Sequence, residues 1–202
     1  LDSFEKPLDV EYKSDGMRNP VTSVDKRIET YLRESISREF SDHGILAEEG
    51  SHVEPKGTDI VWVIDPLDGT VNFLNRLPIF AISVGVLHRG QPIVGSIFTP
   101  SIKDSEGSVF HARENGGAFK DGEQLLLVND PNPQQGRISI FPASLRKTFN
   151  TGLPLKQNIG EIRNYGSVAY ELAMTASGCI QYSMFKKPWL WDVAAGIRLV
   201  LE

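Results

Sequence analysis

The string WVIDPLDGTVNF, Trp62 to Phe73, constrains this chain more than any other segment. Its lead-in, Val61 to Ile64, is apolar and partly β-branched, which predicts a buried strand delivering Asp65 at its carboxyl end. Pro66 is expected to end that strand, because proline offers no N–H to a ladder and presets a turn. Gly69 admits a backbone conformation that other residues resist. Asp65 and Asp68 are thereby held on one tight turn, close enough to serve hard cations that prefer oxygen ligands. A fixed Asp, Pro, any, Asp, Gly, Thr pattern should arise by chance roughly once per million windows. Taken alone the turn also fits a surface hairpin, since Asp-Gly is a common hairpin signal and carboxylates are usually solvated.

At 202 residues the chain has the length of one domain or two small lobes, ample to bury a core. A net charge of -5 argues against a nucleic-acid-binding surface as its main business. Cys179 is the only cysteine, which excludes an intrachain disulfide, and the four histidines lie far apart, which argues against a Cys/His zinc cluster. No apolar run approaches the ~20 residues that span a bilayer, and Leu1 to Val10 carries charges where a signal peptide would be apolar. The expected partners therefore include neither nucleic acid nor membrane, and the expected location is cytoplasmic. Leu1 carries no initiator methionine, and a helix opening at Asp192 runs to Glu202 without a stop signal, so the chain is expected to be cropped at both ends.

Apolar residues at Val24, Ile28, Tyr31, Leu32, Ile36 and Phe40 predict an amphipathic helix capped by Thr22 or Ser23, with Asp25 in its first turn. Beyond the aspartate turn, Ile79 to Leu87, Ile93 to Thr99 and Ser108 to Ala112 read as an antiparallel meander, and a turn at Asp121-Gly122 leads into Leu125 to Val128. Asn129 to Gln135 is the best lobe boundary, giving an α+β lobe over 1–130 and a smaller, incomplete α/β lobe over 131–202. In the second lobe Arg137 to Phe141 and Ile180 to Phe185 read as strands, and Ser167 to Ser177 as a helix closed by Gly178.

Four acids stand at element ends, where side chains converge on clefts: Glu48, Asp65, Asp68 and Asp192. For Asp192 a helix N-cap beside Trp189 and Trp191 is the structural alternative. With NPVTSVD (Asn19 to Asp25), LAEEG (Leu46 to Gly50), WVIDPLDGTVNF and WDVAAG (Trp191 to Gly196) in this order, the chain resembles the inositol monophosphatase family. The resemblance runs over nearly the whole chain. It implies a layered αβαβα sugar-phosphatase fold, a lithium-sensitive homodimer, two or three Mg²⁺ ions, and hydrolysis of a small phosphorylated polyol, sugar or nucleotide by water. It further implies that Glu48, Asp65, Asp68, Asp192 and the Leu67 carbonyl bind metal, and that Thr70, paired with Asp25, orients the attacking water while Glu48 helps deprotonate it. On the same ground Asp68, Gly69, Thr70, Gly166, Ser167, Val168 and Asp192 line the substrate site, with Gly69 and Thr70 N–H groups on phosphate oxygens. The chemistry agrees, since two cations about 3.5–4 Å apart neutralise a phosphate dianion, stabilise the leaving oxygen and supply hydroxide near neutral pH. A plain helix start is the alternative for Gly166 to Val168.

Some positions depart from the family pattern. Phe185 stands seven residues before Asp192, where inositol-specific members carry an acid, so the resemblance does not extend to inositol specificity. Lys13 most nearly matches an active-loop lysine, within a loop from Ser14 to Asn19 that is about a residue longer than usual. Lys186 and Lys187 could hold a second phosphate, as in fructose 1,6-bisphosphate or 3′-phosphoadenosine 5′-phosphate, or form a solvated loop. A haloacid-dehalogenase site is set aside because its aspartates are two residues apart, not three, and no Gly-Lys-Ser/Thr phosphate loop exists. The reading from another class is a non-catalytic metal-binding regulatory module that kept the fold.

Overall fold

The computed structural model describes residues 4, 9–14, 18–50, 52–101, 106–126, 134, 136–142 and 160–202. Most of the expected lobe boundary, Asn129 to Gln135, lies outside them, as do residues 15–17 and the side chain of Lys13.

Strands β1 (Val10–Ser14) and β2 (Arg18–Thr22) form an antiparallel hairpin that feeds directly into helix α1 (Ser23–Glu39). Thr22 is the N-cap: its hydroxyl accepts from the Val24 N–H at 3.1 Å, while Asp25 Oδ2 accepts from the Thr22 N–H at 2.9 Å. This reciprocal box starts the helix and anchors Asp25 in its first turn. The apolar stripe of α1, Leu32 and Ile36, then packs on Ile45, Ala47, Trp62 and Ile64.

Those last residues belong to β3 (Gly44–Ala47) and β4 (Ile60–Asp68), a parallel pair at the edge of a seven-stranded sheet. The sheet continues antiparallel through β5 (Ala81–His88), β6 (Gln91–Thr99), β7 (Ser108–Arg113), β8 (Gly117–Lys120) and the short β9 (Glu123–Gln124). Strand alternation gives β4 two faces: Trp62 and Ile64 meet α1, while Val63 meets Ala194 on the other side. Helices α3 (Val168–Ala176) and α4 (Leu190–Leu201) cover that second face, placing Ala169, Ala173, Ala195 and Leu199 against Ala81, Ile97 and Phe110. A three-stranded parallel sheet lies beyond α3, with β10 (Ile138–Ile140) between β11 (Glu161–Arg163) and β12 (Tyr182–Ser183). The Thr175 and Ser183 hydroxyls join α3 to it at 2.6 Å. The described residues thus stack as helix, sheet, helices and sheet, four of the five layers that the resemblance implies.

The structure corrects several details. Pro66 does not end β4; the strand runs to Asp68 across a bulge, with Asp65 opposite Ser83 but Asp68 opposite Ala81. A bulge tolerates a residue without an N–H, and it re-aims the side chains that follow. Asp192 neither caps nor opens α4, which begins at Leu190 with Trp189 as N-cap. The expected strand over Ile180 to Phe185 shrinks to Tyr182–Ser183, and β1, β2 and β11 had no strong sequence signal.

Helix α4 sits close to the sheet because Gly85 and Gly95 face each other beneath it. A Cβ on Gly85 would lie 2.8 Å from the Ala194 Cβ. Gly85→Val is expected to destabilise the protein by about 1–3 kcal/mol through overpacking, read as a lower urea midpoint.

Candidate active site

Four elements converge at the carboxyl end of β4. Asp65 is buried, 1% exposed, and its Oδ1 accepts from the Leu67 N–H at 3.0 Å across the bulge. Burial pushes its carboxyl well above the usual carboxylate range, and the charges of Asp68, Glu48 and Asp192 push it further. Acids from β4, the end of β3 and the start of α4 therefore share one electrostatic neighbourhood.

Asp68 is turned toward α3: its Oδ2 accepts from the Ser167 hydroxyl at 2.8 Å and the Ala169 N–H at 2.5 Å. Burial nevertheless raises its carboxyl to about 7, with those two donors opposing the rise and Asp192 and Glu171 adding to it. The Asp192 carboxyl is also raised, by burial first, although its Oδ2 accepts from the Trp189 N–H at 2.8 Å; Glu48 contributes repulsion. Glu48 is half-buried just past β3, and its N–H donates to the Ile64 carbonyl at 3.2 Å, extending the β3–β4 pairing by one residue. Among the described residues no three acid, histidine or cysteine side chains are gathered tightly enough to grip an ion as they stand. Asp65, Asp68 and Asp192 instead each accept from N–H or O–H donors.

The donor set nonetheless suits Mg²⁺. It offers carboxylate oxygens with the Leu67 carbonyl beside them, and a mutual repulsion that bound cations would relieve. Beside it lies the Thr70–Asp25 pair. Thr70 Oγ1 is 3.2 Å from Asp25 Oδ1 and 3.0 Å from the Leu67 carbonyl oxygen, so its single proton serves one of them at a time. Asp25 is 1% exposed, and burial raises its carboxyl against hydrogen bonds from Thr22 and Thr70. The capping role and the Thr70 contact are thus both real for Asp25, one oxygen serving each.

Gly69, at φ 91°, is the N-cap of the short helix α2 (Thr70–Leu74). A Cβ there would lie 3.0 Å from both the Ile79 carbonyl oxygen and the Ser167 Cβ, so conformation and space each demand glycine. Gly166 and Ser167 open α3, Ser167 as its N-cap, and Val168 is its first residue. The helix-start reading holds, and the same corner still touches the acid cluster through Ser167 and Asp68. Phe185 is half-buried, Lys186 and Lys187 are exposed, and Trp189, 66% exposed, stacks on Trp191 at 5.2 Å.

Supporting residues escaped the sequence reading. Glu171 lies buried on α3 among Ala169, Leu172 and Ala173, where its Oε1 accepts from the Tyr165 N–H at 2.5 Å. Asn72 donates from Nδ2 to the carbonyls of Ile79 and Tyr165. Ser83 is fully buried and donates to the Trp191 carbonyl at 3.3 Å, tying the start of α4 to the strand opposite Asp65. The available signal was the same for each: a polar residue in a segment otherwise patterned as core.

Comparison with known proteins places this arrangement. A sequence profile of the inositol monophosphatase family matches residues 1–202. The chloroplastic phosphatase IMPL1 of Arabidopsis thaliana is 32% identical over 209 residues, covering 100% of this chain, which spans 56% of that protein. A fructose-1,6-bisphosphatase/inositol-1-monophosphatase of Aquifex aeolicus is 30% identical over 206 residues, covering 100% of this chain and 76% of its own length. The crystal structure of extragenic suppressor protein suhB from Bartonella henselae superposes with a TM-score of 0.81 at 25% identity, over 100% of this chain and 78% of that one. With its layered fold, its acid cluster and a match over its whole length, the chain belongs to the inositol monophosphatase family, a family of phosphoric monoester hydrolases.

Proposed function

We propose that the chain hydrolyses a small phosphorylated polyol, sugar or nucleotide with water, at a site of two or three Mg²⁺ ions held by Glu48, Asp65, Asp68, Asp192 and the Leu67 carbonyl. The observation that carries this reading is Asp65, buried beneath the charge of three further acids and adjoining the Thr70–Asp25 pair. When bound, Mg²⁺ supplies charge neutralisation of the phosphate and lowers the pKa of water.

The remaining roles fall to side chains and amides of the chain. Thr70 donates its proton to Asp25, which turns the lone pairs of Oγ1 toward an incoming water. Because Asp25 holds the Thr70 proton, Oγ1 acts as a hydrogen-bond acceptor that orients the water. Glu48, half-buried beside the cluster, accepts the water proton. The Gly69 and Thr70 N–H groups, which have no intrahelical acceptor at the start of α2, face phosphate oxygens. Gly166, Ser167, Val168, Asp68 and Asp192 contact the leaving group. Residues 1–130 supply most of the metal site and 131–202 supply this leaving-group side. The reading extends to a lithium-sensitive homodimer without membrane or nucleic-acid partners, located in the cytoplasm; no helix among the described residues is long and apolar enough to cross a membrane.

The test is phosphate release from inositol phosphates, fructose 1,6-bisphosphate, histidinol phosphate and 3′-phosphoadenosine 5′-phosphate, with Mg²⁺ and with added Li⁺. The Aquifex relative, named for both a bisphosphate and a monophosphate, is a reason to include both kinds. Release from at least one substrate, suppressed by Li⁺, is expected. No release from any of them would favour the regulatory-module reading.

A further inference from the structure

The metal-site turn and the substrate-side corner lie on separate parts of the chain, Asp65 to Thr70 and Tyr165 to Val168. Asn72 joins them. Its side chain leaves α2 two residues after Thr70, and Nδ2 donates to the Ile79 carbonyl at 2.7 Å and the Tyr165 carbonyl at 2.6 Å. An amide nitrogen carries two protons, so both are spent on backbone carbonyls from two segments. The Asn72 backbone carbonyl accepts from the Leu77 N–H at 2.9 Å, which closes the loop leading to Ile79.

The corner is held from the other side as well. Tyr165 donates its N–H to Glu171 at 2.5 Å, and Gly166, at φ 77°, donates to Asn164 Oδ1 at 3.0 Å. From this corner Ser167 Oγ and the Ala169 N–H reach Asp68. Gly69 packs directly against Ser167 and Ile79, leaving no room for a side chain between them. Asn72 therefore spans a junction where α2, the approach to β5 and the approach to α3 meet.

We propose that Asn72 is a positioning residue, whose amide fixes the Tyr165 to Val168 corner against the Asp68 to Thr70 turn and so sets the shape of the leaving-group pocket. This rests on the phosphatase reading above. Asp68 is also fixed by its place in β4, whereas the corner depends on Asn72 and Glu171, so loss of the clamp falls first on substrate binding. A displacement of about 1 Å at such a site is enough to cost up to ~100-fold in rate or affinity.

The test compares wild type with Asn72→Asp, which is isosteric but has no proton for either carbonyl, and Asn72→Ala, which removes both donors without adding charge. For the best substrate of the panel, KM should rise about 10-fold or more while kcat stays within about 3-fold. Hydrogen exchange supplies a readout that needs no substrate: the Tyr165 and Ala169 amides should exchange at least about 10-fold faster in the variants, with β4–β5 amides unchanged. Unchanged KM and unchanged exchange at the corner in a folded variant would overturn the proposal. So would failure of both variants to fold, which would make Asn72 a folding residue. If wild type releases no phosphate, the phosphatase reading fails, and the exchange arm alone decides whether the clamp exists.

Discussion

Asp68→Asn is expected to abolish phosphate release, by more than about 100-fold, and to leave the fold intact. Even outer-shell partners of metal ligands cost about 10–100-fold when removed, and Asp68 is assigned as a ligand itself. The fold survives because an asparagine carbonyl can still accept from Ser167 and Ala169 as Asp68 Oδ2 does. Burial raises the Asp68 carboxyl from 3.8 to about 7, so at pH 8 the metal-free protein holds a charge it would rather not carry. Replacing it with a neutral amide should therefore stabilise the metal-free form, by something on the order of 1–3 kcal/mol in urea unfolding at that pH. Near-normal turnover in this variant, or collapse of the fold, would contradict the assignment.

Mg²⁺ is expected to stabilise the protein strongly, and more so at pH 8 than at pH 5.5. Asp68, its carboxyl raised from 3.8 to about 7, binds more protons folded than unfolded across that window, and the raised Asp65 carboxyl acts in the same direction. Stability of the metal-free protein is therefore complete below that window and falls as pH rises through it. Cations compete with those protons and replace them in relieving the repulsion, so binding strengthens as pH rises. At a concentration 100 times the dissociation constant the gain is about 2.7 kcal/mol, or roughly 5–10 °C in Tm for a chain of this size. A thermal-shift series across pH with and without Mg²⁺ measures it. Equal shifts at both pH values, or none, would count against a carboxylate site.

The parts of this architecture written in local chemistry were legible before the structure. Thr22, Asp25 and the stripe to Ile36 marked α1 because capping and periodicity act over a few residues. Val61 to Ile64 marked the central strand, and the runs Ile79 to Leu87, Ile93 to Thr99 and Ser108 to Ala112 marked the meander. The bulge at Pro66 was not legible, since it depends on pairing with Ser83 and Ala81 some fifteen residues away. Asp192 read as a cap because its side chain does bond a helix-start N–H, yet Trp189 takes the cap and Asp192 the third helical position. Glu48, Asp65, Asp68 and Asp192 were picked out by their places at element ends and given a shared metal role by the resemblance; in the structure the charges of the other three raise the Asp65 carboxyl. The hold of Asn72 and Glu171 on Tyr165 is a long-range contact that no window of sequence contains.

The most direct test of the central claim is phosphate release by protein stripped with EDTA, assayed before and after Mg²⁺ is restored, on the best substrate of the panel. The account predicts no release from the stripped protein, full recovery with Mg²⁺, and no recovery in Asp68→Asn. Equal release with EDTA and with Mg²⁺ would contradict it.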